Sequence, residues 1–253
     1  MSVQYKGVYV SQAVQRAIEI LDFLAEGPRS LSETARRFDV HRSTVLRQLQ
    51  TFEEAGFVLR RGNGHYSIGP KMISIAQQAL DALDLPAVAH DELRRLQAKT
   101  GNTIHLAQLV ESTVMYVDKV EGRDSVRMYS RVGKTVLPHC TGVGKAILSQ
   151  LPAERRDALL VDAEWTAFTA QTILSRAALD EQLELINTRG WGVDDGEFED
   201  FVNCIAVPIT NSNRSIIGAL SLTAIKVVAT LDDLKTHLDD IRTTAQNISR
   251  QLG

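Results

Sequence analysis

Ser30-Leu31-Ser32-Glu33-Thr34-Ala35-Arg36-Arg37-Phe38-Asp39-Val40-His41-Arg42-Ser43-Thr44-Val45-Leu46-Arg47-Gln48-Leu49-Gln50 is the stretch that sets the class of this chain. Ser30 and Glu33 stand at capping-box spacing, where the hydroxyl and the carboxylate satisfy each other's orphan backbone donors, and a helix to about Phe38 follows. After the turn Asp39-Val40-His41, Val45, Leu49 and Phe52 recur at helical spacing while Arg42, Ser43, Arg47 and Gln50 fall on other faces. A second helix from about His41 to Glu54 therefore buries one side and leaves a polar, basic side free to enter a groove. Phe57-Val58-Leu59-Arg60 and His65-Tyr66-Ser67-Ile68 are strand-like and joined by Arg61-Gly62-Asn63-Gly64, whose Asn-Gly pair supplies the positive φ angles of a tight hairpin. Helix, turn, helix and basic hairpin, in that order, make a winged helix-turn-helix for duplex DNA.

An upstream helix, with Val14, Ala17, Ile18, Leu21, Phe23 and Leu24 as a mostly one-sided apolar stripe, is expected to close a three-helix core. A lone Arg on a helix is ordinarily a solvated residue. Arg36, Arg37, Arg42 and Arg47 weigh more because the turn, the second helix and the basic wing occur with them.

Charge agrees with this placement. Residues 1–71 carry ten Lys and Arg against seven Asp and Glu, a net +3, whereas residues 72–253 carry eighteen against twenty-four, a net −6. An acidic chain with one basic end does not coat polyanions at large; it binds through a local patch, with an affinity that falls steeply with salt. The 253 residues, 44% hydrophobic, leave room for a small domain and a larger one with its own core. Two Cys, no N-terminal signal-like h-region and no membrane-length apolar run give the expectation of a soluble, reduced, cytoplasmic protein without a membrane partner.

Gly69-Pro70 ends the wing and puts Pro at the first position of a new helix. Met72, Ile73, Ile75, Ala76, Ala79, Leu80 and Leu83 give this linker a wide apolar stripe, which packs either on a partner subunit or on the chain's own second domain. Leu85-Pro86 is expected to break it, with a further helix to about Thr100. Beyond Asn102 the periodicity turns strand-like. Strands are expected at Thr103–Val110, Thr113–Val120, Ser125–Ser130, Asn203–Thr210 and Ile216–Thr223, with helices near 142–150, 153–161, 176–189 and 231–252. Strands arriving in hairpins with helices between them predict an α+β fold with helices on one or both faces of a sheet.

Two segments carry a family resemblance: Gly133-Lys134-Thr135-Val136-Leu137-Pro138-His139-Cys140-Thr141-Gly142-Val143-Gly144-Lys145-Ala146, and Arg189-Gly190-Trp191-Gly192-Val193-Asp194-Asp195 continuing to Cys204-Ile205-Ala206-Val207-Pro208. Together, behind a winged helix and a linker helix, they resemble the IclR family of bacterial transcription regulators over nearly the whole chain. Thr103-Ile104-His105-Leu106 and Arg127-Met128-Tyr129-Ser130-Arg131 are most similar to the branch that responds to 2-keto-3-deoxygluconate. The resemblance implies a DNA-binding domain over 1–69, a linker helix over 70–85 and a GAF-like α/β effector domain over 86–253. It further implies a repressor on double-stranded operator DNA, a small carboxylate effector, no cofactor, and a homodimer or dimer of dimers.

In the first domain, Arg42, Ser43, Thr44 and Arg47 are the candidates for base edges or phosphates, and Arg60 and Arg61 for the backbone beside the wing. In the second, the resemblance points to Gly142, Val143, Asp194, Cys204, Ser221 and Thr223 as effector contacts. Physical reasons support several of these. Cys140-Thr141-Gly142 leads into a helix near Val143, where free N–H groups and a positive dipole end suit a carboxylate. Ser221 and Thr223, two apart on a strand, present hydroxyls to one side, and Asp194 is an acceptor for a ligand hydroxyl. Plainer roles stay open: Ser221 and Thr223 as polar residues on a solvent face, Gly142 and Gly144 as packing glycines, Cys140 and Cys204 as small buried hydrophobes.

Two positions depart from the family pattern. Leu137-Pro138 stands where Pro followed by an apolar residue is usual, and Phe201 stands where Gly is common three before Cys204, so a Phe at the pocket mouth is expected to shrink or reshape the cavity. Other function classes use the same residues. An enzyme would take Cys140 as nucleophile with His139 or His105 as base, and a metal or thiol sensor would gather His139, Cys140, Asp194 and Cys204; the short spacings that mark a zinc site are missing.

Overall fold

Ser30 caps α2 (Leu31–Phe38) as its spacing requires: its hydroxyl accepts from the Glu33 N–H while the Glu33 carboxylate accepts from the Ser30 N–H. Asp39 ends the helix in the left-handed region at φ 50°, which turns the chain sharply into α3 (Arg42–Glu54). With α1 (Gln12–Ala25), these helices enclose Ile20, Leu24, Ala35, Val45 and Leu49. The stripe on α1 differs from the expected one. Ile20 and Leu24 are its buried residues, whereas Val14 and Ile18, half a turn around the helix, are about half exposed.

The computed structural model describes residues 11–81, 84–123, 128–161 and 163–252. It divides into two compact units, 1–79 and 80–253. In the first, β1 (Arg29–Ser30), a strand too short to announce itself in sequence, joins β2 (Val58–Arg60) and β3 (His65–Ile68) in an antiparallel sheet of order β1-β3-β2. The wing turn uses its Asn-Gly pair in a different way from that expected. Gly64 alone takes a positive φ, 77°, while Asn63 Oδ1 accepts the His65 N–H as an Asx turn does. α4 (Pro70–Asp81) begins at Pro70 and leaves Ile73 and Ile75 exposed.

The second unit opens on α5 (Asp84–Thr100), which runs through Leu85 and Pro86. Pro86 lies in its first turn, where a missing N–H breaks no helical bond, so the change of helix expected at Leu85-Pro86 falls a few residues earlier, with α4 ending at Asp81 and α5 running to Thr100. Leu85 is buried in this unit's core, which moves it out of the proposed linker. Five strands, β4 (Thr103–Val110), β5 (Thr113–Val120), β6 (Gly192–Asp195), β7 (Val202–Thr210) and β8 (Ile216–Ile225), form a wholly antiparallel sheet of order β5-β4-β8-β7-β6. Its two faces are covered by different helices. Ile104, Leu106, Ile205, Val207, Leu220 and Leu222 pack against α5, α9 (Leu231–Lys235) and α10 (Leu238–Leu252). Ala107, Cys204, Ala206 and Ala219 pack against α6 (Gly142–Ser149), α7 (Ala153–Leu160) and α8 (Arg176–Arg189). The small residues of the second face let α6 lie close to the sheet.

Three expectations change here. β6 is an additional edge strand, and the 231–252 helix divides at Thr236–His237. For the strand expected over Ser125–Ser130, residues 125–127 lie outside the described residues, as does Leu83 of the linker stripe; Met128–Ser130 are irregular. The fully buried Leu49 tests the first core: Leu49→Ala should cost about 2–5 kcal/mol, read as earlier unfolding of the N-terminal unit in a denaturant titration.

Candidate functional site

His41 caps α3 with its ring nitrogen, Nδ1 accepting from the Ser43 N–H at 3.3 Å while also lying 2.7 Å from the Ser43 hydroxyl. Arg42, Ser43 and Arg47 are exposed and Thr44 is half-buried, on the sides of α3 left free by Val45 and Leu49. Arg60 lies over the Tyr66 ring at 6.0 Å, and Arg61 donates Nε–H to the Ser67 hydroxyl at 3.0 Å. Among the described residues none of these four arginines pairs with an acid, so their charge is available to an external anion. With Nδ1 accepting, the Ser43 hydroxyl donates its proton to the cap and keeps its lone pairs to accept from an outside donor.

The second unit brings together all six residues that sequence placed in one pocket. Register explains how. Asp194, Cys204 and Thr223 stand opposite one another across β6, β7 and β8, and one step along, Ala206, Ser221 and His105 form a parallel row across β7, β8 and β4. Above these rows sits the start of α6. Thr141 caps it, its hydroxyl accepting from the Gly144 N–H and donating to the Leu137 carbonyl. The N–H groups of Gly142 and Val143 precede the first intrahelical bond, so they point outward from the helix end. A Cβ on Gly142 would meet Cys204 Sγ at 2.7 Å and Ala206 Cβ at 3.3 Å, so this glycine both packs and lines the cavity. Gly144 only packs: its Cβ would fall 2.6 Å from Pro138 Cα.

The cavity, about 40 Å³ and partly open to solvent, is lined by His105, Tyr116, Met128, Tyr129, Ser130 and the six expected residues, with Thr141, Phe198, Glu199 and Val202 completing the wall. It is a narrow space between the start of α6 and the sheet. Phe198 stacks edge-on with both Tyr129 (4.7 Å) and Phe168 (4.9 Å), and this aromatic trio closes one side. Phe201, expected at the mouth, is instead 39% exposed and off the cavity, because it precedes β7 at Val202 and turns outward.

His105 is the contact that sequence reasoning did not assign to the site. Its Nδ1 lies 3.3 Å from the Ser221 hydroxyl and 3.2 Å from that of Thr223, and its Nε2 2.7 Å from Ser130 Oγ. Burial, with a smaller effect from Lys119, lowers its pKa to about 3, so the ring is neutral and couples the three hydroxyls. The signal was available: His105 alternates with Ile104 and Leu106 on β4, which puts it on the same face as Ala107. Ser221 and Thr223 are thus buried and hydrogen-bonded, not on a solvent face.

Asp194 accepts the Glu197 N–H at 2.8 Å and is buried; desolvation, then the Glu197 charge, raise its pKa from 3.8 to about 7. Glu197 is paired with the fully buried Lys145 of α6. Burial pushes both the Cys140 and Cys204 thiols up to about 12, leaving them protonated at neutral pH. Neither ring nitrogen of His139 has a partner, and His105 is engaged by hydroxyls, so neither histidine is hydrogen-bonded to Cys140. Among the described residues no three His, Cys, Asp or Glu side chains are grouped to hold a metal ion. No helix there is long and apolar enough to cross a membrane.

The raised Asp194 pKa has a sign that can be measured. A carboxyl favoured as neutral in the folded state lends stability that is complete below the unfolded pKa and is lost as pH climbs through about 7. Asp194→Asn, neutral throughout, should therefore gain in Tm relative to the parent protein as pH rises from about 4 to about 8.5. A difference that stays level over that range would place the Asp194 carboxylate in solvent.

Comparison with known proteins agrees with both halves. Residues 13–62 match the IclR helix-turn-helix domain and residues 77–250 the bacterial transcriptional regulator IclR C-terminal domain. The chain is 33% identical over 243 residues to the HTH-type transcriptional regulator KdgR of Dickeya chrysanthemi, covering 95% of this chain and 80% of that protein. The crystal structure of Thermotoga maritima IclR superposes with a TM-score of 0.78 at 33% identity, over 95% of this chain and 98% of that one. An IclR homologue from Microbacterium hydrocarbonoxydans, solved in complex with 4-hydroxybenzoate, shares the fold with a TM-score of 0.81 at 22% identity, over 95% and 99%. With both domains matched in order along one chain, this protein belongs to the IclR family of ligand-responsive, DNA-binding transcriptional regulators.

Proposed function

We propose that the chain represses transcription of genes for the catabolism of a sugar acid or related carboxylate, and that the carboxylate acts from the cavity beneath α6. The observation that carries this is the meeting of the unbonded Gly142 and Val143 N–H groups with Asp194, Ser221 and Thr223 around a single buried space. A carboxylate on the helix end and hydroxyls on the strand side chains satisfy both halves of that wall. The resemblance of Thr103–Leu106 and Arg127–Arg131 to the branch that responds to 2-keto-3-deoxygluconate puts that acid first among the compounds to test, and the 4-hydroxybenzoate held by the Microbacterium protein keeps aromatic acids beside it.

The functional division that goes with this proposal is a DNA-binding domain over 1–69, a linker on α4, and an effector domain that begins with α5. Residues Arg42, Ser43, Thr44 and Arg47 serve the major groove, and Arg60 and Arg61 the phosphates beside it. The protein acts as a homodimer or dimer of dimers, since two half-sites need two recognition helices at fixed spacing, and the exposed Ile73 and Ile75 on α4 are apolar area for such pairing. Effector and operator then oppose one another by a coupling of about 1–3 kcal/mol, roughly 5–150-fold in DNA affinity.

Two measurements test the halves separately. Arg47→Ala should relax base preference by about 1–3 kcal/mol at one position if Arg47 reads a guanine, while Arg61→Ala should weaken all sequences alike and lower the salt slope by about 0.9. Unchanged binding by Arg61→Ala at every salt concentration would remove the wing from the interface. For the effector, a thermal-shift screen of sugar acids, 2-oxo acids and aromatic acids should find one that adds about 2.7 kcal/mol at about 100 times its Kd, and Asp194→Ala should abolish that shift. An undiminished shift would take Asp194 out of the pocket.

A further inference from the structure

The charges around the effector cavity are unusual for a site meant to take an anion. Its two ionisable acids, Asp194 and Glu199, have no Lys or Arg beside them in the wall among the described residues. The groups that face Asp194 come from every element packed on it: Glu197 and Glu199 from the turn after β6, Lys145 from α6, Cys140 from the approach to α6, Cys204 from β7 and Tyr116 from β5. The one cation in that set, Lys145, is already matched by Glu197. Lys119 and Lys134 approach Glu199 from outside the wall, but Lys119 is bonded to Glu121 and the Ser130 carbonyl, and Lys134 lies over the Tyr129 ring at 2.9 Å. His105 stays neutral and contributes no charge.

Among the described residues, a carboxylate held on the Gly142 and Val143 amides would thus stand beside a buried carboxyl group with no free cation in the wall to balance two negative charges. Two carboxylates in one dry site do not both stay ionised; one keeps a proton. Asp194 is the group able to do so, being buried and already poised near neutrality by desolvation. Neutral, it also becomes a hydrogen-bond donor to the ligand while still accepting the Glu197 N–H.

Resting on the assignment of this cavity as the effector site, we propose that it selects singly charged carboxylates, binds them with uptake of one proton by Asp194, and refuses acids carrying a second negative charge. No covalent change is involved; the proton comes from solvent and returns to it when the effector leaves. The consequence is an effector response that weakens as pH rises.

Isothermal titration calorimetry on the full-length protein decides the matter, with 2-keto-3-deoxygluconate, gluconate and 4-hydroxybenzoate as single-charge probes and 2-oxoglutarate as the double-charge probe. Each is titrated at pH about 6.5 and about 8.5, in phosphate and in Tris, whose ionisation enthalpies differ. The single-charge probe that binds should do so on the order of tenfold more weakly at the higher pH, with proton uptake that is larger at the higher pH than at the lower. The 2-oxoglutarate titration should be silent. Asp194→Asn should bind that probe with equal affinity at both pH values and with no buffer dependence, a result that a merely structural aspartate would not give. Equal affinity of the parent protein at both pH values, or binding of 2-oxoglutarate as tight as that of the single-charge probe, overturns the proton-uptake proposal while leaving the effector site standing. Silence from every single-charge acid at both pH values overturns the effector assignment itself, and the proton proposal with it. The buffer comparison needs only the parent protein, so the outcome stands even if the variant folds poorly.

Discussion

Everything in the effector domain depends on how close the first turn of α6 comes to the sheet. Gly142 sits where any side chain would strike Cys204 Sγ and Ala206, and Gly144 where one would strike the backbone of Pro138. Interiors are packed at crystal-like density, so even one methyl group here would lift the helix. Because it is absent, the unbonded N–H groups at the helix start lie against strands that carry Asp194, Ser221 and Thr223. The close approach turns an ordinary helix end into one wall of a cavity.

The cost of such a wall is polar burial, and the domain offsets it by pairing. Lys145 is fully buried on α6 and is held by Glu197, whose own N–H in turn anchors Asp194. Thr169 and Thr172 donate hydroxyls to the carbonyls of Gly196 and Glu197, so the loop before α8 pins the same turn from outside. Removing one partner of a buried charge pair typically costs about 3–5 kcal/mol. The turn after β6 is therefore fixed at its acidic end, while its aromatic end, Phe198, rests on Tyr129 and Phe168, both about 40% exposed.

Much of this was legible beforehand because it rests on local rules. The capping box of α2, Pro70 at the start of α4, and the strands Thr103–Val110 and Thr113–Val120 fall where spacing and alternation put them. Other features were hidden for reasons equally physical. β1 has two residues and β6 four, too few for alternation to show, and both exist because a neighbouring strand offers its edge. Leu85-Pro86 marks the change of helix only to within a few residues, because Pro is harmless in a first turn, so α5 starts ahead of it and Leu85 is drawn into the core. Phe201 and Phe198 are both aromatic residues beside the motif; which one faces the cavity follows from the residue at which β7 starts.

The sequence by itself determined the order of the two domains, the polar face of α3 and the residue types that line the cavity beneath α6, because periodicity, capping and glycine placement act over a few residues at a time. Tertiary structure alone decided that His105 joins Ser130, Ser221 and Thr223, that Lys145 pairs with Glu197, and that Asp194 is buried beside the cavity. Those outcomes depend on strand register and on burial. Contacts between residues more than a hundred positions apart, and the dielectric that sets a carboxyl's charge, exist only once the sheet and its covering helices have come together.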